Sequence, residues 1–164
     1  MVILGIDPGL ARMGWGVIET DGRTHRAKGY GTLTTTPHQT TPARLNALYS
    51  GVNDLIDRYA PDVIAFEELF FSKNVTTAMN VGAARGVALV AAARRSDALY
   101  EYTPMQVKQA ITGYGKADKP QIQWMVRVLL HLTELPKPDD AADALAVAIT
   151  HAHSLAMCEQ FRIQ

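Results

Sequence analysis

The sequence predicts an α/β fold in which a mixed five-stranded sheet is flanked by helices. Its 164 residues match the size of a single domain, and 48% of them are apolar, as expected of a folded globular chain. Apolar runs with strand and helix periodicity follow in the order three strands, helix, strand, helix, strand and further helices. Consecutive strands can pair antiparallel, whereas strands joined through a helix pair parallel, so the sheet is expected to be mixed.

The five strands are predicted from short runs of apolar and β-branched residues that end at turn residues. These runs cover residues 2–7, 14–20, 26–34, 62–67 and 98–102. The first three runs are close in sequence and predict an antiparallel meander. The Thr- and Pro-rich stretch 35–42 is predicted to be a loop.

Helical spacing of apolar residues predicts the first helix over 43–59, with Thr41 and Pro42 as its cap and first turn. The second helix, 75–96, is alanine-rich and apolar nearly all round, so it requires cover on more than one side. Three more helices are predicted at 104–112, 120–132 and 138–155. The chain 1–164 is therefore predicted to be one domain, in which 155–164 form a short tail.

The sequence predicts a cytoplasmic protein without a membrane segment. The longest clearly apolar run, 87–93, is far shorter than the roughly 18 residues that a span needs. The apolar start, 1–6, has no basic leader and no cleavage pattern, so we expect no signal peptide. Cys158 is the only cysteine and cannot form an internal disulfide, which suits a reducing cytosol.

The formal net charge is zero, yet the charges are unevenly distributed along the chain. Residues 70–127 contain eight Lys or Arg and three Asp or Glu, which gives +5 and leaves −5 for the remainder. This pattern is typical of a basic nucleic-acid-binding face beside an acidic cluster. Ordinary scatter of surface charge explains it equally well, so charge alone leaves both interpretations open.

Two acidic residues stand at the ends of predicted strands, where α/β folds place their ligands. Asp7 closes the first strand, although Asp-Pro-Gly is also good turn chemistry. Glu67 closes the fourth strand, where a buried carboxylate requires a neutralising partner such as a divalent cation. If that strand has already reached solvent, Glu67 is an ordinary surface residue. Each residue taken alone favours the structural interpretation.

The last predicted helix carries Asp140 and Asp143 three positions apart, so both project from one face. Asp139 can share that face, and the helix dipole alone accounts for acids in the first turn. Asp143 lies deeper, among alanines that allow a close approach to the sheet. Oxygen ligands without a His or Cys cluster predict Mg²⁺, with Mn²⁺ as a substitute. Two such ions about 3.5–4 Å apart can clamp the attacking and leaving oxygens of a phosphodiester.

Six segments of the chain resemble, in the same order, motifs of the bacterial RuvC crossover-junction endonucleases. They are Ile3-Leu4-Gly5-Ile6-Asp7-Pro8-Gly9, Phe66-Glu67-Glu68-Leu69-Phe70, Lys73-Asn74, Gly82-Ala83-Ala84-Arg85-Gly86, Gln106-Val107-Lys108-Gln109 and Asp140-Ala141-Ala142-Asp143-Ala144-Leu145-Ala146. The resemblance reaches about His153 and leaves the last residues uncovered. It implies an RNase H-like fold, a homodimer, magnesium dependence and cleavage of Holliday junctions, which are four-way DNA junctions. It also implies RuvA and RuvB, a junction-binding protein and a branch-migration motor, as partners.

The resemblance also implies roles for particular residues. Carried over by motif, the catalytic and metal-binding acids are Asp7, Glu67, Asp140 and Asp143. The Asp-x-x-Asp pattern selects Asp140 rather than Asp139, a choice that helix geometry alone leaves open.

The DNA contacts follow from the same motifs and their surroundings. Phe70 matches an aromatic that engages bases at the junction centre, and Phe71 competes with it for that role. Lys108 and Lys119 match basic residues near the scissile phosphate, and two further lysines lie beside Phe71 and in the glycine-containing loop 113–116. The candidate DNA contacts are Phe70, Phe71, Lys73, Lys108, Lys116 and Lys119.

This set of residues predicts a two-ion hydrolysis. One ion lowers the pKa of the attacking water and the other stabilises the departing 3′ oxygen, which leaves a 5′-phosphate and a 3′-hydroxyl that a ligase can seal. Lys119 is predicted to neutralise charge on the phosphate, unless it is simply a solvated lysine. The helix 75–96 can meet a two-fold mate through Ala78, Gly82 and Gly86. Two centres related by that axis would nick two strands of like polarity symmetrically.

Three rival functions remain at this stage. The segment 3–9 also resembles the first phosphate loop of the actin, Hsp70 and sugar-kinase group, but the chain is too short for the second domain that those proteins need. A DNA-binding scaffold without catalysis fits poorly, because four carboxylates repel phosphate when no metal intervenes. A ribonuclease H acting on RNA–DNA hybrids shares the expected fold, and the aromatic pair and the dimer helix favour branched DNA over it.

Overall fold

The computed structural model describes residues 1–69 and 75–164. Five strands form one sheet in the order β3-β2-β1-β4-β5. β1 to β3 form an antiparallel meander, while β4 is parallel to β1 and β5 is parallel to β4. The predicted α/β class and the mixed sheet are confirmed. The strands are β1 (Val2–Asp7), β2 (Arg12–Thr20), β3 (His25–Thr34), β4 (Val63–Glu67) and β5 (Leu99–Tyr102).

Helices cover both faces of the sheet and make a three-layer sandwich with two apolar cores. The helices are α1 (Thr41–Tyr59), α2 (Val75–Ala93), α3 (Pro104–Thr112), α4 (Lys119–Leu129) and α5 (Asp139–His153). One core joins the sheet to α1 and α2 and contains Leu4 and Ile64. The other joins it to α3, α4 and α5 and contains Ile3 and Ala65. Successive residues of a strand point alternately into the two cores, as expected of a sheet that is buried on both faces.

Helix caps account for several element boundaries. The α1 cap is Thr40 rather than Thr41, because the Thr40 hydroxyl accepts a hydrogen bond from the backbone N–H of Ala43. α4 begins at Lys119, one residue earlier than predicted, because Asp118 and Gln121 form a capping box. This cap places Lys119 in the first turn of α4, where its side chain can reach α5.

The last ten residues, predicted as a short tail, fold back on the sheet. Residues Leu155–Phe161 form a 3₁₀ helix after α5, which ends two residues earlier than predicted. Arg162 forms an isolated bridge with Tyr100, and the backbone N–H of Ile163 donates to the carbonyl of Leu99 at 2.9 Å. These contacts cover the otherwise free edge of β5.

No single helix in the described part of the chain is long and apolar enough to cross a membrane. α5 together with the 3₁₀ helix passes that test only as a pair bent by 112°. The middle of α5 is buried against the sheet, which explains its apolar composition.

Candidate active site

β1 and β4 end side by side and carry Asp7 and Glu67. The strands are parallel neighbours in which Ile6 is paired with Phe66, so the residues that follow are also adjacent. Side chains alternate along a strand, and both acids therefore lie on the sheet face that α5 covers. Their carboxyl groups lie close enough together that each alters the pKa of the other. The structure thus brings the two strand-end acids into contact.

Glycines in the sheet let α5 lie close enough to carry its acids to the same edge. Gly14 of β2 is paired with Asp7 of β1, and a β-carbon at Gly14 would run into the backbone of Asp140. A β-carbon at Gly5 would likewise meet the backbone of α5 one turn further along. Only glycine leaves room for a backbone at these two positions. Asp140 therefore lies above the β1–β2 pair, and Asp143 follows one turn later on the same face.

The acids strongly perturb one another. Burial, followed by the charges of Glu67, Asp143 and Asp140, raises the pKa of Asp7 to about 9. Burial is also the largest cause that raises the pKa of Glu67 and the pKa of Asp143. Without a cation, the protonated form of Asp7 is therefore favoured at neutral pH. Such a cluster gains stability from any cation that neutralises it.

Two basic side chains pair with the acids of α5. The ammonium of Lys119 lies 2.9 Å from a carboxylate oxygen of Asp143 and 3.8 Å from one of Asp139. The guanidinium of Arg12, at the start of β2, donates to Asp140 at 3.1 Å. Asp139 points further into solvent than Asp140, with 62% of its side chain exposed against 29%. Sequence reasoning missed Arg12, which no motif marks.

A cavity of about 240 Å³ opens beside the acids on the α3–α4 side. Its charged lining combines two of the acids with two lysines, and its remaining wall is apolar. This combination suits a phosphate group, because the lysines attract it while the apolar wall limits access of water. The lining residues are Glu67, Pro104, Val107, Lys108, Lys119, Ile122, Asp143 and Ala146.

The donor set fits a hard divalent cation, since it offers carboxylate oxygens whose own charges repel one another. Within residues 1–69 and 75–164, no three His, Cys, Asp or Glu side chains lie close enough together to bind one ion as they stand. Asp140 and Asp143 are held by Arg12 and Lys119. Metal binding thus requires these two carboxylates to exchange their basic partners for the ion.

The predicted DNA contacts fall into two groups. Lys108 and Lys119 line the cavity beside the acids, and Lys116 lies exposed in the loop between α3 and α4. Phe70, Phe71 and Lys73 lie outside the described residues, so their predicted roles stay predictions.

His151 serves the core of the protein. Its side chain is buried, and its Nδ1 lies 2.8 Å from the hydroxyl of Tyr102. Burial lowers the pKa of His151 to about 4, so the ring is neutral at physiological pH. The ring also packs on that of Tyr100, with centroids 4.5 Å apart. These contacts explain the residue without a metal.

The sheet order and the acids at the ends of β1 and β4 and on α5 define an RNase H-like fold with a nuclease-type site. A family model described as Crossover junction endodeoxyribonuclease RuvC matches residues 3–151. The chain belongs to this family, whose members are metal-dependent nucleases.

Individual relatives agree with this assignment over nearly the full chain. The crossover junction endodeoxyribonuclease RuvC of Alkaliphilus oremlandii is 54% identical over 164 residues, which are 100% of both chains. The protein of the same name from Desulforamulus reducens is 59% identical over 152 residues, 93% of each chain. Among solved structures, Thermus thermophilus RuvC in complex with a Holliday junction substrate matches with a TM-score of 0.91 and 40% identity, over 96% of both chains.

Proposed function

We propose that this protein resolves Holliday junctions as a magnesium-dependent endodeoxyribonuclease in homologous recombination and DNA repair. Family membership and the likeness to a RuvC structure in complex with a Holliday junction support this function. It acts in the cytoplasm as a single nuclease domain, with RuvA and RuvB as partners. The observation that carries the proposal is the convergence of four carboxylates from two strands and one helix: Asp7, Glu67, Asp140 and Asp143.

The chain supplies the charges and the shape that phosphodiester hydrolysis needs. The four acids would hold two Mg²⁺ ions, or Mn²⁺ in their place, which would supply an activated water and stabilisation of the leaving 3′ oxygen. Lys119 is held at the cavity by Asp143 and neutralises charge on the phosphate when that carboxylate is engaged elsewhere. Lys108, which also lines the cavity, holds the phosphate beside the acids. The products carry a 5′-phosphate and a 3′-hydroxyl.

Symmetric cleavage requires two such sites, and α2 offers a surface for a second copy of the chain. Met79 and Val90 are 72% and 56% exposed on this helix. A β-carbon added at Gly82 or Gly86 would meet nothing within 4 Å, so the surface between them is open. Small and apolar residues at helical spacing suit close packing against a two-fold mate. The homodimer then presents two centres to strands of like polarity.

The test compares a synthetic four-way junction with a linear duplex and an RNA–DNA hybrid, each with Mg²⁺ and with EDTA. We expect paired nicks in the junction only when Mg²⁺ is present, with ends that ligase reseals. Cleavage of the hybrid in preference to the junction would replace the proposal with a ribonuclease H activity.

A pair of neighbouring glutamates supplies a matched control. Glu67→Gln removes one acid of the site. Loss of a residue that only supports a metal ligand costs up to about 100-fold in activity, so loss of a direct ligand should reduce the cleavage rate by more than that. Glu68→Gln alters the exposed residue that follows it in sequence and should leave the rate unchanged. Equal activity of both variants would contradict the role of Glu67.

A further inference from the structure

Two aromatic side chains are exposed on the α3–α4 hairpin, which comprises residues 104–130. Tyr114 is 57% exposed in the connecting loop, and Trp124 is 53% exposed on α4. Together they border a groove of about 340 Å³ that has no charged residue in its lining. An exposed tryptophan leaves a large apolar area in water, which marks an interaction surface rather than a core. The groove is lined by Thr112, Tyr114, Ala117, Gln121, Trp124 and Met125.

The charge of the hairpin favours nucleic acid as the occupant of this groove. Residues 104–130 contain four basic residues, Lys108, Lys116, Lys119 and Arg127, against one acid, Asp118. This gives the hairpin a net charge of +3 in a chain whose net charge is zero. Aromatic faces inside a basic surface are the combination that binds unpaired nucleotides, where bases stack and lysines hold the backbone. An apolar protein partner would need no such excess of positive charge.

The groove and the catalytic cavity are both lined by residues of this hairpin. Lys108 of α3 and Lys119 of α4 both line the cavity. Trp124 follows Lys119 by five residues, which is about 7.5 Å along the helix axis. Tyr114 and Lys116 belong to the loop between the two lysines of the cavity. The same five residues turn the helix by about 140°, so Trp124 faces a different side of α4 from Lys119. The rings therefore offer DNA a second contact on the hairpin, beside the loop that carries Lys116.

Hydrogen bonds fix the loop that carries Tyr114. The hydroxyl of Thr112 accepts from the backbone N–H of Tyr114 at 3.2 Å and lies 3.1 Å from its carbonyl. The side-chain amide of Gln109 donates to the carbonyl of Gly113 at 2.9 Å. Gly113 adopts a φ of 72°, which glycine accepts without strain. A loop held in this way presents its ring at a low entropic cost of binding.

We propose that Trp124, assisted by Tyr114, stacks on an unpaired base of the junction DNA. The α3–α4 hairpin is then a DNA-contact surface in addition to the lysines of the cavity. This inference rests on the proposed junction-cleaving function. Because every base has a π-face, the contact holds the strand without selecting its sequence.

Tryptophan fluorescence tests the contact directly. The chain contains only two tryptophans, and the other, Trp15, packs on Tyr59 with ring centroids 5.8 Å apart. Addition of a four-way junction to the protein in EDTA should quench the emission of Trp124 and shield it from acrylamide. The variant Trp124→Phe should lose this response. Junction binding by fluorescence anisotropy without any change in the Trp124 emission or acrylamide quenching would overturn the inference.

Affinity measurements separate stacking from a structural role. Trp124→Ala should weaken junction binding at least about 5-fold, because stacking contributes about 1–3 kcal/mol per base. Trp124→Phe keeps an aromatic face and should stay within about 2-fold of the parent protein. Val128→Ala, at a 42% exposed position of the same helix outside the groove lining, should bind like the parent.

The outcomes distinguish this inference from the function on which it rests. Failure of the unaltered protein to bind the junction would remove the proposed function itself. Unchanged junction affinity of Trp124→Ala, with the parent binding normally, would overturn only the stacking contact and leave a protein partner as the occupant of the groove. Equal weakening by Trp124→Ala and Val128→Ala would also overturn it, since it would indicate a general disturbance of α4.

Discussion

Replacing Asp7 by Asn should stabilise the protein in EDTA while abolishing metal-dependent cleavage. Asn has the shape of protonated Asp and can donate its N–H to Glu67, but it carries no titrating proton. In the folded protein the pKa of Asp7 is raised from 3.8 to about 9. A raised folded pKa means that the folded state binds more protons than the unfolded state between these values. The stability that protonated Asp7 contributes to the folded state is therefore fully present below pH 4 and is lost as the pH rises toward 9.

The size of the effect follows from the same two pKa values. At pH 7 the Asp7 carboxyl is ionised in the unfolded chain and protonated in the folded protein. Each pH unit above the unfolded pKa of 3.8 therefore lowers the free energy of unfolding by about 1.4 kcal/mol. The upper limit at pH 7 is therefore about 4 kcal/mol. Part of the repulsion on Asp7 is taken up by protonation of Glu67 and Asp143, whose pKa values are also raised. We therefore expect Asp7→Asn to raise the free energy of unfolding by about 2 kcal/mol, about half of the upper limit. For a chain of this length that gain raises Tm by about 4–8 °C.

Thermal unfolding in EDTA between pH 5 and pH 9 measures this prediction. The Asp7→Asn variant should gain most over the parent near pH 8–9 and little near pH 5. Asp54→Asn, at an exposed position of α1, should follow the parent at every pH. Addition of Mg²⁺ should raise the Tm of the parent and leave that of Asp7→Asn nearly unchanged, because ligands stabilise only the state that binds them. An Asp7→Asn variant that melts at or below the parent across this range would refute the reasoning.

Three further predictions concern the support of the site. Gly14→Ala forces a β-carbon against the backbone of Asp140, so it should destabilise the protein by about 3 kcal/mol in urea unfolding and lower its activity. A loss of stability below about 1 kcal/mol would contradict the close packing of α5. Lys119→Met should reduce single-turnover junction cleavage by about 100-fold. Because its pair with Asp143 is partly exposed, the same change should alter stability by less than about 1 kcal/mol, and normal cleavage would remove Lys119 from the mechanism. Arg12→Ala should raise the affinity for Mg²⁺ about two- to five-fold in calorimetric titration, because Arg12 competes with the ion for Asp140. An unchanged affinity would contradict this competition.

The parts of the fold with local signals were predictable from the sequence. β1 ends at Asp7 and α3 runs from Pro104 to Thr112, as predicted, because strand periodicity, turn residues and prolines mark these boundaries. α4 ends at Leu129 rather than at residue 132, and α2 ends at Ala93 rather than at residue 96. The apolar pattern continues past both ends and therefore hides the true termini, which is the usual weakness of periodicity.

The candidate site was predictable where motifs and strand ends coincide, and not where contacts join distant residues. The positions of Asp7 and Glu67 were predictable because neighbouring parallel strands end at the same edge of a sheet. The helix face that carries Asp143 was predictable from its spacing to Asp140. The Arg12–Asp140 pair joins residues 128 positions apart, so no local pattern signals it. The role of Gly5 and Gly14 in admitting α5 becomes clear only when the helix lies over them.

Anomalous diffraction from crystals soaked in Mn²⁺ tests the central claim most directly. We expect anomalous peaks between the carboxylates of Asp7, Glu67, Asp140 and Asp143, with the side chains of Arg12 and Lys119 withdrawn from the acids. Ordered crystals with no peak between those four side chains, or with Mn²⁺ bound elsewhere in the fold, would contradict it.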